Sequence, residues 1–282
     1  MLIIRTKEKI KMKKDKLVAP VLKWAGGKRQ LLDILIPLLP QRITTYCEPF
    51  VGGGALLFAL QPDTAYVNDI NADLINVYRV IKDNVESLIK ALQEFKNDAD
   101  CFYAVRDWDR DKTKYSALSD VQKAARILYL NKTCYNGLFR VNSAGEFNSP
   151  FGNYRNPNIV NAPVLRAVSS YFNKATIYLT SVDYAEVLKS LPKGTFVYLD
   201  PPYDLSFTGY SYNGFTRDDQ IRLRMCCDDL NKRGIKFMLS NAATDFIKEL
   251  YSAYNVSVIQ VNRTINPTRC RKALEVVVTN YD

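Results

Sequence analysis

The stretch TFVYLDPPY, residues 195–203, decides the fold of this 282-residue chain. Its first five residues are apolar or favour β structure, and they predict a buried strand that two prolines end at once. An acid, two rigid residues and an aromatic ring, Asp200 to Tyr203, therefore stand at the carboxyl end of a strand. In open α/β sheets, ligands bind in a crevice at this position.

The residue types at this strand end suit a flat base that carries an amino group. The carboxylate of Asp200 and the main-chain carbonyl of Pro201 are expected to accept its two N–H hydrogens. The ring of Tyr203 is expected to stack on the base, and neither Pro201 nor Pro202 has an N–H group that competes. For these residues alone, a proline-rich turn in which Asp200 caps a helix is a serious alternative.

The bulk composition points to a large folded protein with a polyanionic partner. The chain is 47% hydrophobic, which is enough for one large domain or a domain with an insert. Its net charge is +10 and its pI is about 9.2, as in many proteins that bind nucleic acid.

Several function classes are excluded by what the sequence lacks. There are no histidines, which removes Ser-His-Asp and Cys-His catalysis, and the six cysteines form no C-x-x-C pair, so we expect no metal. No signal peptide is evident and no apolar run approaches the roughly 20 residues of a membrane span. We therefore expect a cytoplasmic protein without a membrane partner.

The N-terminal region contains a basic tail and then a glycine pair. Residues 1–16 are rich in lysine, so we predict a mobile tail, and Met12 is a candidate natural start. In the following KWAGGK, the glycines allow close approach of a ligand, Trp24 offers a flat surface and Lys28 a charge. On this stretch alone, a core tryptophan followed by a simple turn is the better interpretation.

A strand, a glycine loop and a helix follow in TYCEPFVGGGALLFAL, residues 45–60. This is the order of a nucleotide-binding βα unit, although the spacing fits neither the dinucleotide fingerprint nor the P-loop. Asp69 comes fifteen residues after Gly54, at the end of the next predicted strand. An acid at that position bonds ribose hydroxyls in such folds, so the combination predicts a nucleotide-like cofactor.

The middle of the chain interrupts the α/β pattern. A helical period covers residues 70–95, and from about 96 to 170 aromatic and charged residues mix. The segment CYNGLFRVNSAGEFNSPFGNYRNP, residues 134–157, can present amides, guanidinium groups and aromatic edges to bases and phosphates, although an ordinary long loop is the alternative. After strands resume, a basic loop at 262–272 separates two closing strands, which predicts an antiparallel pair at the sheet edge.

Together these segments resemble the Dam-type DNA adenine N6-methyltransferases, the D12 class with cofactor motifs first, then a recognition insert, then the catalytic motif. The matching segments are KWAGGK, EPFVGGGAL, Asn68 with Asp69, YNGLFRVN with GEFNSPFGNY, DPPY, LSN ending at Asn241, and the basic C-terminal segment. They span nearly the whole chain, from about Lys23 to Tyr281. One departure from the family pattern is the segment after Tyr203, which is shorter than in relatives.

The resemblance implies an α/β fold: a seven-stranded, Rossmann-like sheet that binds S-adenosylmethionine, with a mostly helical target-recognition insert. The catalytic domain would comprise residues 17–95 and 171–282, and the insert residues 96–170. The implied reaction transfers a methyl group to N6 of a flipped-out adenine in double-stranded DNA, typically within GATC. The implied state is a monomer or a dimer.

The resemblance also assigns roles to single residues. The implied catalytic residues are Asp200, Pro201, Pro202 and Tyr203. The implied cofactor-binding residues are Trp24, Lys28, Glu48, Pro49, Phe50, Gly52, Gly53, Gly54, Asp69, Asp183, Tyr184 and Asp200. The implied DNA-binding residues are Lys23, Asn136, Leu138, Arg140, Pro150, Tyr154, Arg269 and Arg271.

Several rival functions share part of this pattern. An RNA adenine methyltransferase uses the same type of catalytic motif, and a catalytically silent DNA-binding relative would keep the scaffold. Protein glutamine methyltransferases have Asn where this chain has Asp200. A dinucleotide-dependent oxidoreductase needs a glycine spacing that is absent here. The intact acid, prolines, tyrosine and glycine loop favour an active methyltransferase.

Overall fold

The apolar runs of the sequence form the strands of a sheet in the structure, which is a computed structural model. It describes residues 14–24, 26–204, 215–266 and 269–282, and it gives only the backbone for 262–266 and 269–271. Within these ranges the strands are Thr45–Glu48 (β1), Thr64–Asn68 (β2), Thr176–Thr180 (β3), Thr195–Leu199 (β4), Lys236–Ala242 (β5), Asn255–Asn266 (β6) and Arg269–Thr279 (β7).

These seven strands of the described residues form one sheet in the order β3-β2-β1-β4-β5-β7-β6. β1 to β5 pair in parallel, whereas β7 is antiparallel to both β5 and β6. The predicted mixed α/β fold, with seven strands and an antiparallel closing pair, is confirmed. The strand order reverses between β1 and β4, and at such a switch point the carboxyl ends of neighbouring strands border a crevice.

Helices pack on both faces of the sheet. Their bounds are Leu32–Leu35 (α1), Ala55–Leu60 (α2), Ala72–Asp83 (α3), Val85–Gln93 (α4), Ala99–Arg106 (α5), Lys112–Ala117 (α6), Asp120–Thr133 (α7), Ala162–Lys174 (α8), Tyr184–Ser190 (α9), Arg217–Lys232 (α10) and Asp245–Leu250 (α11). Short 3₁₀ turns occupy Lys28–Leu31, Ile36–Leu38, Asp107–Arg110 and Tyr135–Gly137.

The central strand β4 shows why the sheet is covered on both faces. It is buried at all five positions. Because side chains alternate along a strand, Phe196 and Tyr198 join one hydrophobic core, while Val197 and Leu199 join a second core on the other face. A strand that is apolar at every position is expected where both faces are covered.

Two parts of the sequence interpretation differ from the structure. The helical period over 70–95 corresponds to two helices, α3 and α4, which meet at Asn84. The basic loop predicted at 262–272 is wrong, because β6 and β7 continue through it and pair Asn262 with Lys272. The basic residues of this segment do not alternate regularly with apolar residues, so its sequence lacks the two-residue period that is typical of a strand.

Four predicted features lie wholly or partly outside the described residues. The backbone of Arg269 and Arg271 belongs to β7, but their side chains are outside the described set. The short loop after Tyr203 lies largely within residues 205–214, and most of the basic tail lies within residues 1–13; both ranges are outside it as well.

Candidate active site at the carboxyl ends of β1 and β4

Asp200 follows β4 directly and contacts an amine of the same chain. The Lys28 ammonium lies 2.8 Å from Asp200 Oδ1 and 4.7 Å from the centroid of the Tyr203 ring. It also donates a hydrogen bond to the main-chain oxygen of Gly26, at 2.6 Å. An N–H donor therefore fits between the carboxylate and the face of the ring.

The charge state of Asp200 reflects two opposing effects. Burial raises the pKa of its carboxyl group, whereas the Lys28 ammonium lowers that pKa, and nearby Glu275 raises it again. The net shift in the pKa of Asp200 is upward. Because an ionised carboxylate is unstable in a buried site without a cation, Lys28 helps to keep Asp200 charged.

The two prolines after Asp200 are held by side chains of α10 and β5. Gln220 donates a hydrogen bond to the Pro202 carbonyl at 2.9 Å, and Asn241 donates to Gln220 at 3.0 Å. The main-chain N–H of Asp204 donates to the side-chain oxygen of Asn241, at 3.2 Å. Asn241 and Gln220 are fully buried, so this network fixes the backbone of the segment after β4.

Tyr203 is held at its far end by an acid that the sequence interpretation missed. Its hydroxyl donates a hydrogen bond to Glu275 Oε2 at 2.8 Å. Glu275 lies on β7, opposite Ala242 of β5 and Ile259 of β6, and only 4% of it is exposed. The available signal was a single acid inside the otherwise apolar run ALEVVV.

The glycine loop after β1 is shaped by left-handed backbone and by Asp69. Gly52 and Gly54 have φ angles of 47° and 66°, which favour glycine. The Asp69 carboxylate accepts hydrogen bonds from the main-chain N–H groups of Gly52 and Asn71, each at 3.0 Å. Burial raises the pKa of Asp69, although both of these hydrogen bonds lower it.

Trp24 lies between the glycine loop and the predicted insert. Its ring stacks on Phe139 with centroids 4.8 Å apart. A β-carbon added to Gly52 would be 2.9 Å from Trp24 Cδ1, so glycine is needed for this close packing. The half-buried ring thus connects a predicted cofactor loop with a predicted DNA-reading segment.

Glu48, the last residue of β1, is the second acid at this edge. Burial raises the pKa of Glu48, the Tyr46 hydroxyl lowers it by donating to Glu48 Oε2 at 2.8 Å, and the negative charge of Asp200 raises it, so that the net pKa is about 8. Only 3% of Glu48 is exposed. Its carboxyl group is therefore largely protonated at neutral pH. The following Pro49 accepts a hydrogen bond from Asn68 at 3.1 Å.

Three aromatic rings cluster beside the glycine loop. Phe50, Tyr184 and Phe215 have pairwise centroid distances of 5.1 to 5.9 Å. Asp183 caps the start of α9 and pairs with Arg222, whose guanidinium group lies 4.8 Å from the Tyr184 ring centroid. Phe215 and Arg222 were not predicted, because each lies far along the chain from the motifs it meets.

Buried Asn131 joins two of the predicted DNA-binding segments. Its side chain accepts from the Lys23 main-chain N–H at 2.9 Å and donates to the Lys23 carbonyl at 2.7 Å. It also donates to the carbonyl of Gly137 at 3.1 Å. An isolated Asn within the buried α7 was the signal for this residue, which the sequence interpretation also missed.

The turn that follows α7 brings further predicted residues together. The Asn136 N–H donates to the hydroxyl of Tyr154 at 2.9 Å, and Tyr135 donates its N–H to Pro150 at 2.9 Å. Leu138 and Tyr154 are about 40% exposed. Five predicted positions thus gather on one surface: Lys23, Asn136, Leu138, Pro150 and Tyr154.

Arg140 stands next to this surface on a short hairpin. Val141 and Phe147 form its bridge, and Asp109 accepts a hydrogen bond from the Phe147 N–H at 2.8 Å. The exposed Arg140 guanidinium donates to the Asn148 side chain at 2.7 Å and to its carbonyl at 3.2 Å. These two hydrogen bonds to Asn148 fix the orientation of the Arg140 guanidinium group and of its remaining N–H groups.

Among the described residues, no cluster of three or more His, Cys, Asp or Glu side chains is arranged to hold a metal ion. Within the same ranges, no helix combines the length and the apolar character needed to cross a membrane.

The chain is similar in sequence to known DNA methyltransferases. Residues 24–265 match the family model described as D12 class N6 adenine-specific DNA methyltransferase. The chain is 41% identical over 280 residues to the type II methyltransferase M1.LlaDCHI of Lactococcus lactis subsp. cremoris, covering 96% of this chain and 98% of that protein. It is 39% identical to the type II methyltransferase M.MjaIII of Methanocaldococcus jannaschii, with 94% and 99% covered. It is 34% identical to the DNA adenine methylase of Escherichia coli K12, with 87% and 88% covered.

Proposed function

The chain belongs to the D12 class of N6 adenine-specific DNA methyltransferases, and we propose that it transfers a methyl group from S-adenosylmethionine to N6 of a flipped-out adenine in duplex DNA. The observation that carries this proposal is the position of the Lys28 ammonium. It lies 2.8 Å from Asp200 and 4.7 Å from the Tyr203 ring centroid, where an amino group of a stacked base would be recognised.

The target amine would displace Lys28 from Asp200. Asp200 and the Pro201 carbonyl then accept the two N6 hydrogens, which turns the nitrogen lone pair away from conjugation with the ring. Tyr203 stacks on the base and holds its plane. Correct placement of the nucleophile can supply much of the rate in such a displacement, so neither a histidine nor a covalent intermediate is required.

The residues at this edge fit S-adenosylmethionine, which when bound supplies the electrophilic methyl group. The carboxylates of Asp200 and Asp69 suit a cationic ligand. Asp69 uses both oxygens for N–H groups of the glycine turn, yet a carboxylate has about four lone-pair positions, so each oxygen can also accept a ribose hydroxyl. The rings of Phe50 and Tyr184 offer faces to an adenine.

We assign the remaining predicted cofactor residues to the same site. Glu48 at the end of β1 and the loop that follows it, with Pro49, Gly52, Gly53 and Gly54, would pass the methionine moiety of a cofactor bound to a Rossmann-like sheet. Trp24 and Lys28 would line the pocket from the other side, and Asp183 would lie near the adenine. The structure-based reason for including Trp24 and Lys28 is that Trp24 packs against Gly52 and that Lys28 pairs with Asp200.

We propose that residues 96–170 form the target-recognition insert and that its exposed surface reads GATC. Support comes from the surface around Asn131, where Lys23, Asn136, Leu138, Pro150 and Tyr154 gather, and from the adjacent Arg140. An Arg fork suits the O6 and N7 acceptors of guanine in the major groove. Arg269 and Arg271, on the closing hairpin, would add phosphate contacts.

Flipping the adenine requires a few kcal/mol of unstacking and unpairing. Stacking on Tyr203 and phosphate contacts of the basic surface would offset part of this energy. A DNA substrate also favours the cytoplasmic location expected from the sequence, and a monomer or a dimer stays a prediction.

The proposal is tested by expressing the full chain in cells whose own DNA lacks N6-methyladenine and sequencing their DNA for that base. The expected result is N6-methyladenine at GATC on both strands and none in the RNA. Arg140→Ala should relax the choice of flanking bases if Arg140 reads guanine. A uniform decrease at all sites would assign it to a phosphate, and methylation confined to RNA would contradict the DNA substrate.

A further inference from the structure

Glu275 is a buried acid at a position where the strand pattern calls for an apolar residue. It lies within the apolar run ALEVVV of β7, between β5 and β6, and only 4% of it is exposed. Burying a carboxylate is unfavourable by several kcal/mol unless hydrogen bonds or charges compensate. The partners that compensate a buried acid therefore indicate what it does in the protein.

The Tyr203 hydroxyl is a partner of Glu275 that lies in the proposed site. The phenol donates its hydrogen to Glu275 Oε2 at 2.8 Å. The other end of Tyr203 is fixed by the backbone of the segment after β4, which Gln220 and Asn241 hold. The ring is therefore attached at both ends, and its two side-chain torsions have little freedom left.

We propose that Glu275 is a positioning residue that fixes the plane of the Tyr203 ring through the ring's hydroxyl group. The inference rests on the proposed function, in which that ring stacks on the flipped adenine. A fixed plane sets the tilt of the base, and the tilt sets the direction of the N6 lone pair relative to Asp200. Glu275 acts on the reaction without touching the base.

This role predicts a specific kinetic pattern. Tyr203→Phe keeps the ring but loses the hydroxyl, and Glu275→Ala loses the acceptor. Each change should lower kcat for methyl transfer by about 10-fold, because misplacement of a reactant by a fraction of an ångström weakens the effect of positioning. KM for S-adenosylmethionine should change less than about 2-fold, since neither Tyr203 nor Glu275 is among the predicted cofactor-binding residues.

A double-mutant cycle separates positioning from general stability. If Glu275 acts through the hydroxyl, Tyr203→Phe combined with Glu275→Ala should be no slower than the worse single variant. Glu275→Gln should recover most of kcat, because its amide oxygen still accepts the phenol hydrogen. This conservative variant, together with Tyr203→Phe, also tests the proposal if Glu275→Ala does not fold.

Tyr254→Phe is the matched control. The Tyr254 hydroxyl also donates to a carboxylate, Asp228 Oδ1, at 2.5 Å, but this pair joins α10 to the turn after α11. Its loss should lower the melting temperature and leave kcat at the wild-type value. The measurements are single-turnover transfer of a labelled methyl group to a GATC duplex and thermal unfolding of each variant.

Two outcomes would overturn the proposal. One is a Tyr203→Phe variant with wild-type kcat, and the other is a double variant whose loss is the product of the two single losses. Both presuppose that the wild type methylates adenine. A wild-type protein that methylates no adenine would instead contradict the proposed function, so the two failures are distinguishable.

Discussion

The ends of β1 and β4 share one sequence pattern but differ in the partner of the acid. Each strand ends in an acid followed by proline, Glu48–Pro49 in one case and Asp200–Pro201 in the other, and the two strands are neighbours in the sheet. Glu48 is bonded by the hydroxyl of Tyr46, and burial raises its pKa to about 8. Asp200 is paired with the ammonium of Lys28, which lowers its pKa against the effect of burial.

The partner of a buried acid, rather than the acid or its strand, therefore decides what the acid can do. Within the part of the chain that the structure describes, Glu48 has a neutral donor and no cation as its hydrogen-bond partner, so burial keeps its carboxyl group largely protonated and suited to supporting the loop. A cationic partner keeps Asp200 an acceptor, and it can be exchanged for the amine of a substrate. Lys28 comes from a segment far along the chain, so the contrast is a property of the tertiary structure.

The largest expected effect separates the two acids by matched isosteric changes. Asp200→Asn replaces an acceptor oxygen by an N–H donor that repels the target amine, so kcat should fall about 100- to 1000-fold. Glu48→Gln should lower kcat by less than about 10-fold, because the native carboxyl group is already largely neutral. Single-turnover kinetics at saturating cofactor measure both. Equal losses in the two variants would remove the distinction between these strand ends.

The next prediction concerns the cation. Lys28→Met removes the group that lowers the pKa of Asp200, so that pKa should rise and the ionised form should be lost at a higher pH. The acid limb of the profile of kcat/KM against pH should therefore move to higher pH, and kcat/KM on that limb should fall. The pH at the midpoint of this limb is the quantity to compare, because a change in cofactor binding alters only the maximum of the profile. An unmoved midpoint would show that Lys28 does not control Asp200.

A third prediction concerns stability and the charge of Glu48. Its pKa in the folded protein, about 8, exceeds its ordinary value of 4.5, so its contribution to stability is complete below pH 4.5 and decreases as the pH rises toward 8. Relative to Glu48→Gln, the wild type should lose about 1.4 kcal/mol of unfolding free energy per pH unit in that window. Denaturant unfolding at pH 5 to 9 measures the difference, and parallel curves would mean that Glu48 is ionised throughout.

The smallest effect is expected from the neutral partner. The Tyr46 hydroxyl lowers the pKa of Glu48, so Tyr46→Phe should raise that pKa and extend the protonated range to higher pH. The accompanying change in unfolding free energy should be about 1 kcal/mol, the usual contribution of one hydrogen bond. The same unfolding series can be used, with Tyr198→Phe as a buried tyrosine control. If Tyr46→Phe shifted the pKa of Glu48 by as much as Lys28→Met shifts the pKa of Asp200, the two partners would be equivalent.

Much of this site could be predicted because local patterns determine strand ends. The apolar run before Asp200 and the glycines after β1 specify strand and turn within a few residues, and the parallel neighbours bring both to one edge. Asp69 follows from the same rule, since its strand also ends at that edge.

Other parts could not be predicted because they depend on distant register. Glu275 reaches Tyr203 only because β7 is antiparallel to β5 with Glu275 opposite Ala242. Asn131 joins Lys23 to Gly137 across more than a hundred residues of chain. Where β6 and β7 pair at residues 262–272, apolar and polar residues do not alternate regularly in the sequence, so the segment was interpreted as a loop.

The proposed role of Asp200 is to present an adenine amine for methylation. Analysis of the labelled nucleosides tests this role directly. A GATC duplex is incubated with labelled S-adenosylmethionine and the full chain, digested to nucleosides and separated by mass. We expect label in N6-methyldeoxyadenosine with the wild type and with Glu48→Gln, and almost none with Asp200→Asn. Label in N4-methyldeoxycytidine, or undiminished N6 label with Asp200→Asn, would contradict it.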